Sequence, residues 1–205
     1  MKKPDLKNVR RVLIIRTRAI GDVILTTPFI RAVKKAMPQA EIDYLVEPFA
    51  EPALRGNPNL SNIFTIKRQA IKKDPPNVRQ LRKNELKKRG FFAKMIQTAD
   101  LYRTLISRKY DIVFDLWGNL RTAFLAFITG AKTRVGFNFR GRKYFYNFRV
   151  EPDIRPKYNV YYHMDLLKPL GIPEDGPQTE FFTSQEDEDF AEAAYNDMGG
   201  GKGTL

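Results

Sequence analysis

The chain predicts a doubly wound α/β fold built on a parallel sheet, and three features of the sequence predict it. The run VLII at 12–15 is continuously apolar and rich in β-branched residues, as in a strand buried on both faces. Ile30, Val33 and Met37 follow at helical spacing, and Pro38 closes that helix. Strand-like runs then recur at 41–46, 62–66, 111–116 and 133–137, each separated from the last by a loop or a helical stretch. This alternation is the pattern of strands joined by crossover helices in one sheet.

Taken in order, the first strand runs into the loop at 17–22 and then into the helix. Pro28 there either opens the main helix with Thr27 as its N-cap or kinks a longer one. After the second strand, residues 48–55 read as a short helix closed by Gly56. The basic stretch from Lys67 to Arg89 is broken by a loop at Asp74-Pro75-Pro76. A helix is expected from Phe92, with Met95, Ile96, Ala99, Tyr102, Leu105 and Ile106 on its apolar stripe. Another spans 121–128 and ends at Gly130. Residues 136–150 alternate aromatic and basic side chains around Gly141 and read as loop and short strand. Residues 158–170 read as a helix that stops at Gly171-Ile172-Pro173. Ser184, with Asp187 three residues on, opens a last helix with a capping box. That helix runs to about Met198, before a glycine-rich turn at 199–203.

Composition excludes several chemistries. With no cysteine there is no disulfide, thiolate nucleophile or Cys-ligated zinc. His163 is the only histidine, so a multi-His metal site cannot form, and no G-x-S-x-G elbow accompanies it. No metal site built on cysteine or several histidines is expected, and no resident cofactor. No apolar stretch approaches the roughly 20 residues of a membrane span, and none forms a signal-peptide core. The expectation is a cytoplasmic protein. The net charge of +13 is unevenly placed. Fourteen Lys/Arg lie at 66–109 and eight at 132–158, whereas residues 174–205 are acidic. A basic body suits an anionic partner: a phosphorylated sugar acceptor, an anionic lipid surface or nucleic acid. It also suits a plain solvated surface.

The loop after the first strand, TRAIGD at 17–22, is where a doubly wound fold holds ligands, outside the carboxyl ends of its strands. That makes Thr17, Arg18 and Gly21 candidate substrate contacts. One glycine is too few for G-x-G-x-x-G, and the P-loop pattern is absent. Asp22 reads as an N-cap or as a general base for an attacking hydroxyl, and the two roles are compatible.

At this point the chain resembles a known family. VLIIRTRAIGDVILTTP at 12–28 resembles the opening of the lipopolysaccharide heptosyltransferases, glycosyltransferase family 9. YDIVFDLWGNLRTA at 110–123 and TGAKTRVGF at 129–137 resemble its middle motif, and HMDLLKPLG at 163–171 the helix leaving its first domain. The resemblance implies the N-terminal half of a GT-B enzyme, in which two Rossmann-like domains face across a cleft. It implies an inverting, metal-independent transfer of heptose from ADP-heptose to the lipopolysaccharide inner core, with Asp22 as general base. It also implies an acceptor site in this half, whose basic groups meet carboxylates and phosphates. Residues 1–180 are then the acceptor-binding domain. Residues 181–205 are a linker helix and the start of a C-terminal donor-binding domain that the chain lacks, so these 205 residues are expected to be inactive alone.

Other candidates come from position. Gly118 and Arg121 follow the fourth strand beside the expected cleft, and Arg121 reads as an anion contact or a solvated first-turn arginine. Arg140, Arg142 and Lys143 read as charge-assisted contacts or as a solvated hairpin tip with its aromatics packed inward. Asp115 inside an apolar strand reads as a buried acceptor of backbone hydrogen bonds, and His163 as structural. The basic stretch at 67–89 reads as a loop that folds over the acceptor, and its partner helix as resting on the anionic inner face of the cytoplasmic membrane; the alternative is a charged outer face. The competing reading is a non-enzymatic basic domain that binds anionic glycolipid or nucleic acid. No nucleic-acid-binding module is recognisable, and nucleic acid is not the expected partner.

Overall fold

A computed structural model describes residues 3–66, 91–153 and 155–197. Six strands form one sheet: β1 Arg11–Ile15, β2 Glu41–Val46, β3 Asn62–Thr65, β4 Ile112–Asp115, β5 Thr133–Phe137 and β6 Phe148–Val150. Their spatial order is β3-β2-β1-β4-β5-β6, with every pairing parallel. The doubly wound expectation is therefore met. Strand order reverses between β1 and β4, which opens a crevice at their carboxyl ends.

β1 alternates its side chains between two apolar layers. Val12 and Ile14 pack with Phe29, Ile30 and Val33 of α2 (Thr27–Ala36) and with Val160 and Met164 of α5 (Asn159–Met164). Leu13 and Ile15 pack with Leu105 of α3 (Phe91–Ser107) and with Ala123 and Ala126 of α4 (Leu120–Ile128). Both faces of the central strand are thus dry, which is why its sequence is uniformly apolar. Ile106, expected on the inner stripe of α3, is exposed instead.

Local chemistry revises several boundaries. The helix after β1 is two pieces, α1 (Ile20–Ile24) and α2. The N-cap of α2 is Thr26, so Thr27 is inside the helix, where its hydroxyl donates to Ile24 O (2.8 Å). The segment at 48–55 is only a 3-10 turn, Glu51–Leu54. The expected helix at 158–170 is α5 followed by a 3-10 turn, Asp165–Leu170, which contains Pro169. Proline has no N–H to donate and crowds the preceding turn, so α-helical hydrogen bonding cannot continue through it. β5 and β6 are parallel, so residues 138–147 form a crossover and not a hairpin tip.

The segment after α5 crosses α2. Arg31 pairs with Asp175 (2.5 Å) and Glu180 (2.8 Å), and the Glu180 N–H donates to the Thr27 hydroxyl (2.8 Å). The expected capping box is present. Ser184 N donates to Asp187 Oδ2 (2.9 Å) and Asp187 N donates to Ser184 Oγ (3.1 Å). It opens α6 (Gln185–Asp197), which buries no residue. The basic stretch at 67–89, the Asp74–Pro76 loop and the glycine turn at 199–203 lie outside the described residues.

Candidate functional site

The crevice is built from two loops that leave β1 and β4. Arg16, the first residue past β1, spans both. Its Nη2 pairs with Asp22 Oδ2 (2.9 Å) and its Nη1 donates to Leu116 O (3.1 Å). Its guanidinium lies 4.5 Å from the centre of the Trp117 ring, and that of Arg18 lies 5.3 Å from it. The chain's one tryptophan is thus gripped by two cations across the switch point.

Asp22 sits in the first turn of α1, whose N-cap is Ala19. Its Oδ2 accepts from Ala19 N (3.3 Å) as well as from Arg16. Asp22 is therefore the distal half of a capping box that Ala19, having no side-chain oxygen, cannot complete. The N-cap position expected for Asp22 is corrected accordingly. Its Oδ1 has no partner among the described residues. Thr17 is buried, and its carbonyl accepts from Glu47 N (2.9 Å). Gly21 has no positive φ, and a Cβ there would meet nothing within 4 Å. The protein's own packing therefore does not require glycine at this exposed position.

The β4 loop is held by a buried carboxylate. Asp115 accepts from Trp117 N (3.0 Å), Gly118 N (2.9 Å) and the Tyr146 hydroxyl (2.6 Å). This is the structural role expected of it. Burial pushes its carboxyl above the usual range, and these hydrogen bonds oppose the shift. Tyr146 reaches Asp115 over Gly136, where a Cβ would come 2.5 Å from the ring. Gly118 has φ +64, open to glycine at no steric cost. Asn119 caps α4 by accepting from Thr122 N (2.9 Å).

Of the basic candidates, Arg142 reaches the crevice: its Nη1 donates to Gly118 O (2.5 Å) and its guanidinium lies over Phe139. Arg121 is half-buried in the first turn of α4. Arg140 is exposed, and Lys143 lies over the Tyr144 ring at 5.6 Å. No hydrogen bond or ion pair among the described residues joins either to the β1 or β4 loop.

Sequence reasoning missed Arg16, Trp117 and the place of His163. His163 is 3% exposed, and its Nδ1 is buried without a partner, as is Arg16 Nε. Burial, reinforced by the positive charge of Arg16 and opposed by Asp22, pushes the imidazole down to about 4. It is neutral at neutral pH. The charges of Arg16 and Asp22 both reach its ring, which sets it close behind the crevice. An arginine ending an apolar strand and a lone tryptophan beside a glycine were the available signals. A shallow hollow lined by Leu54, Asn57, Leu60 and Ile63 lies by β3 and away from these charged groups. The crevice is favoured as the site because the chemistry converges there. Among the described residues, no three His, Asp or Glu side chains gather as a metal site, and no helix is long and apolar enough to cross a membrane.

Solved structures share this fold. The chain superposes on the glycosyl transferase family 9 structure from Veillonella parvula with a TM-score of 0.76 at 21% identity, covering 96% of this chain and 51% of that one. It superposes on Escherichia coli heptosyltransferase WaaC, solved with ADP-2-deoxy-2-fluoro heptose, with a TM-score of 0.63 at 21% identity, covering 83% and 51%. Sheet order, switch-point crevice and these superpositions define the class: a Rossmann-like half of a glycosyltransferase fold. The family model for glycosyltransferase family 9 (heptosyltransferase) matches residues 98–202, and the chain belongs to that family. It is 26% identical over 166 residues to lipopolysaccharide heptosyltransferase 3 of E. coli K12, covering 80% of this chain and 41% of that protein. It is 30% identical over 130 residues to lipopolysaccharide heptosyltransferase 1 of Pseudomonas aeruginosa, covering 62% and 32%. The chain thus spans about two fifths or less of the curated relatives' length.

Proposed function

We propose that this chain is the acceptor-binding half of a GT-B heptosyltransferase that moves heptose from ADP-heptose to an anionic lipopolysaccharide-core acceptor. The observation that carries the reading is Asp22: one carboxylate, fixed through Oδ2 by Arg16 and Ala19 and open at Oδ1, at the switch point of a family 9 fold. Asp22 Oδ1 takes the proton of the acceptor hydroxyl as that oxygen bonds the anomeric carbon. The bond from that carbon to the phosphate oxygen breaks on the opposite face, ADP leaves, and configuration inverts. No metal takes part in this reading.

Arg18, Arg121 and Arg142 supply charge-assisted contacts to acceptor carboxylates or phosphates, and Arg140 and Lys143 extend the positive field outward. Gly21 leaves room for the acceptor beside Asp22. The donor is assigned to a second domain, and residues 181–205 to the linker leading toward it. What supports this is the coverage of about half of each superposed structure. On this reading the 205 residues bind acceptor without turning it over, and the protein works in the cytoplasm. ADP release from ADP-heptose by the full-length gene product, with and without a phosphorylated core oligosaccharide, tests the reading. Release that requires the acceptor supports it, and release indifferent to the acceptor contradicts it.

A further inference from the structure

The outer face of α4 carries an apolar stripe that no described residue covers. Leu120, Phe124 and Phe127 fall at i, i+4 and i+7 and are 64%, 47% and 49% exposed. Tyr144, 72% exposed, stands on the crossover between β5 and β6. Its neighbour Phe145 joins the two segments, with ring centres 6.1 Å from Phe124 and 5.8 Å from Phe127. The charges on these segments have one sign. Lys132 is exposed in the turn between α4 and β5, Arg134 lies 5.5 Å from the Phe127 ring centre, and Lys143 adjoins Tyr144. From residue 116 to 150 the chain has no Asp or Glu.

Isolated exposed apolar residues need no explanation, but an aromatic stripe whose own segments carry only cations does. The exposed aromatics of α6, Phe190 and Tyr195, are different, because their helix is acidic. Half-exposed aromatic rings with Lys and Arg beside them match the headgroup layer of an anionic bilayer.

We infer that the α4 face docks this protein on an anionic membrane, with Leu120, Phe124, Phe127 and Tyr144 entering the headgroup layer and Lys132, Arg134 and Lys143 meeting lipid phosphates. The face begins at the crevice. Leu120 follows the Asn119 cap, two residues from Gly118, so a bilayer lying here borders the β4 loop. This places the membrane contact on described residues, apart from the basic stretch at 67–89. The inference stands independently of the transfer reaction, since binding is measured without donor or acceptor.

The test is co-sedimentation of the 205-residue chain with phosphatidylethanolamine vesicles containing about a quarter phosphatidylglycerol, against pure phosphatidylcholine, at about 0.1 M salt. Wild type is expected to bind the anionic vesicles and not the zwitterionic ones. Leu120→Asp is expected to weaken binding about tenfold, with charge repulsion added to the lost apolar contact. This variant keeps its fold, because an acidic residue in the first turn of a helix is favourable there, and thermal melting verifies it. Phe124→Ser/Phe127→Ser is expected to weaken binding to a similar degree, whereas Lys72→Gln/Lys73→Gln leaves most of it. Wild-type failure to bind anionic vesicles overturns the inference. So does a folded Leu120→Asp that binds as wild type, or a dimer that Leu120→Asp dissociates with no vesicle binding by either form.

Discussion

Asp22, Arg16 and His163 are one electrostatic unit, and each makes a separate prediction. Arg16 holds Asp22 in one orientation, so Arg16→Gln is expected to lower kcat in the full-length enzyme with little change in donor KM. Steady-state kinetics check this. His163 carries a pH signature. Its folded value of about 4 lies below the ordinary 6.5 of an unfolded histidine. Acid therefore protonates the unfolded chain first. The stability from a neutral His163 is complete above about pH 6.5 and is lost as pH falls toward 4, by up to about 3 kcal/mol. Thermal melting across that window is expected to fall more steeply for wild type than for His163→Asn, and parallel slopes would contradict the assignment. Asp22 was legible because Gly-Asp follows an apolar strand in a position where ligands bind. Its exact place in the helix was not, because whether a loop residue is N-cap or N3 depends on one backbone turn. Arg16 was illegible for another reason. What matters is its reach across to Trp117 and Leu116, a hundred residues on in sequence, which no local pattern encodes.

At the scale of elements, the apolar runs announced the strands because burial on both faces leaves no room for polar alternation. Connections were harder to read. Residues 138–147 contain the glycine and charge of a hairpin tip, yet β6 returns parallel, and only pairing across the sheet decides that direction. Pro169 signals the end of α-helical bonding in the segment after Tyr158, but the helical spacing of the apolar residues around it masks that signal. The β4 loop depends on the Asp115–Tyr146 hydrogen bond and on the absence of a side chain at Gly136. Gly136→Ala puts a methyl group 2.5 Å from the Tyr146 ring and is expected to cost about 1–3 kcal/mol. Tyr146→Phe, which keeps the ring and removes the donor, is expected to cost about 1–3 kcal/mol by leaving part of Asp115 unsatisfied. Chemical denaturation measures both. A Gly136→Ala variant as stable as wild type would contradict the close approach.

For the whole molecule, the sheet is tied at its other end by a buried ion. Asp43 of β2 is fully buried, pairs with Arg108 (2.9 Å), and accepts from the Tyr110 hydroxyl (2.8 Å) and Asn62 (2.8 Å). Arg108→Met strands that carboxylate and is expected to cost about 3 kcal/mol, or roughly 6–12 °C in Tm for a chain of this size. A doubly wound parallel sheet was implied by the family resemblance and by the alternation of elements, and the structure and the family match agree with it; the order of its strands is visible only in the structure. The central claim is that Asp22 is the general base of glycosyl transfer. Its most direct test is kcat for heptose transfer by the full-length gene product carrying Asp22→Asn, with acceptor affinity measured in parallel. A fall of about 10²–10⁴ in kcat with acceptor binding retained is the predicted result, and a kcat equal to wild type would contradict the account.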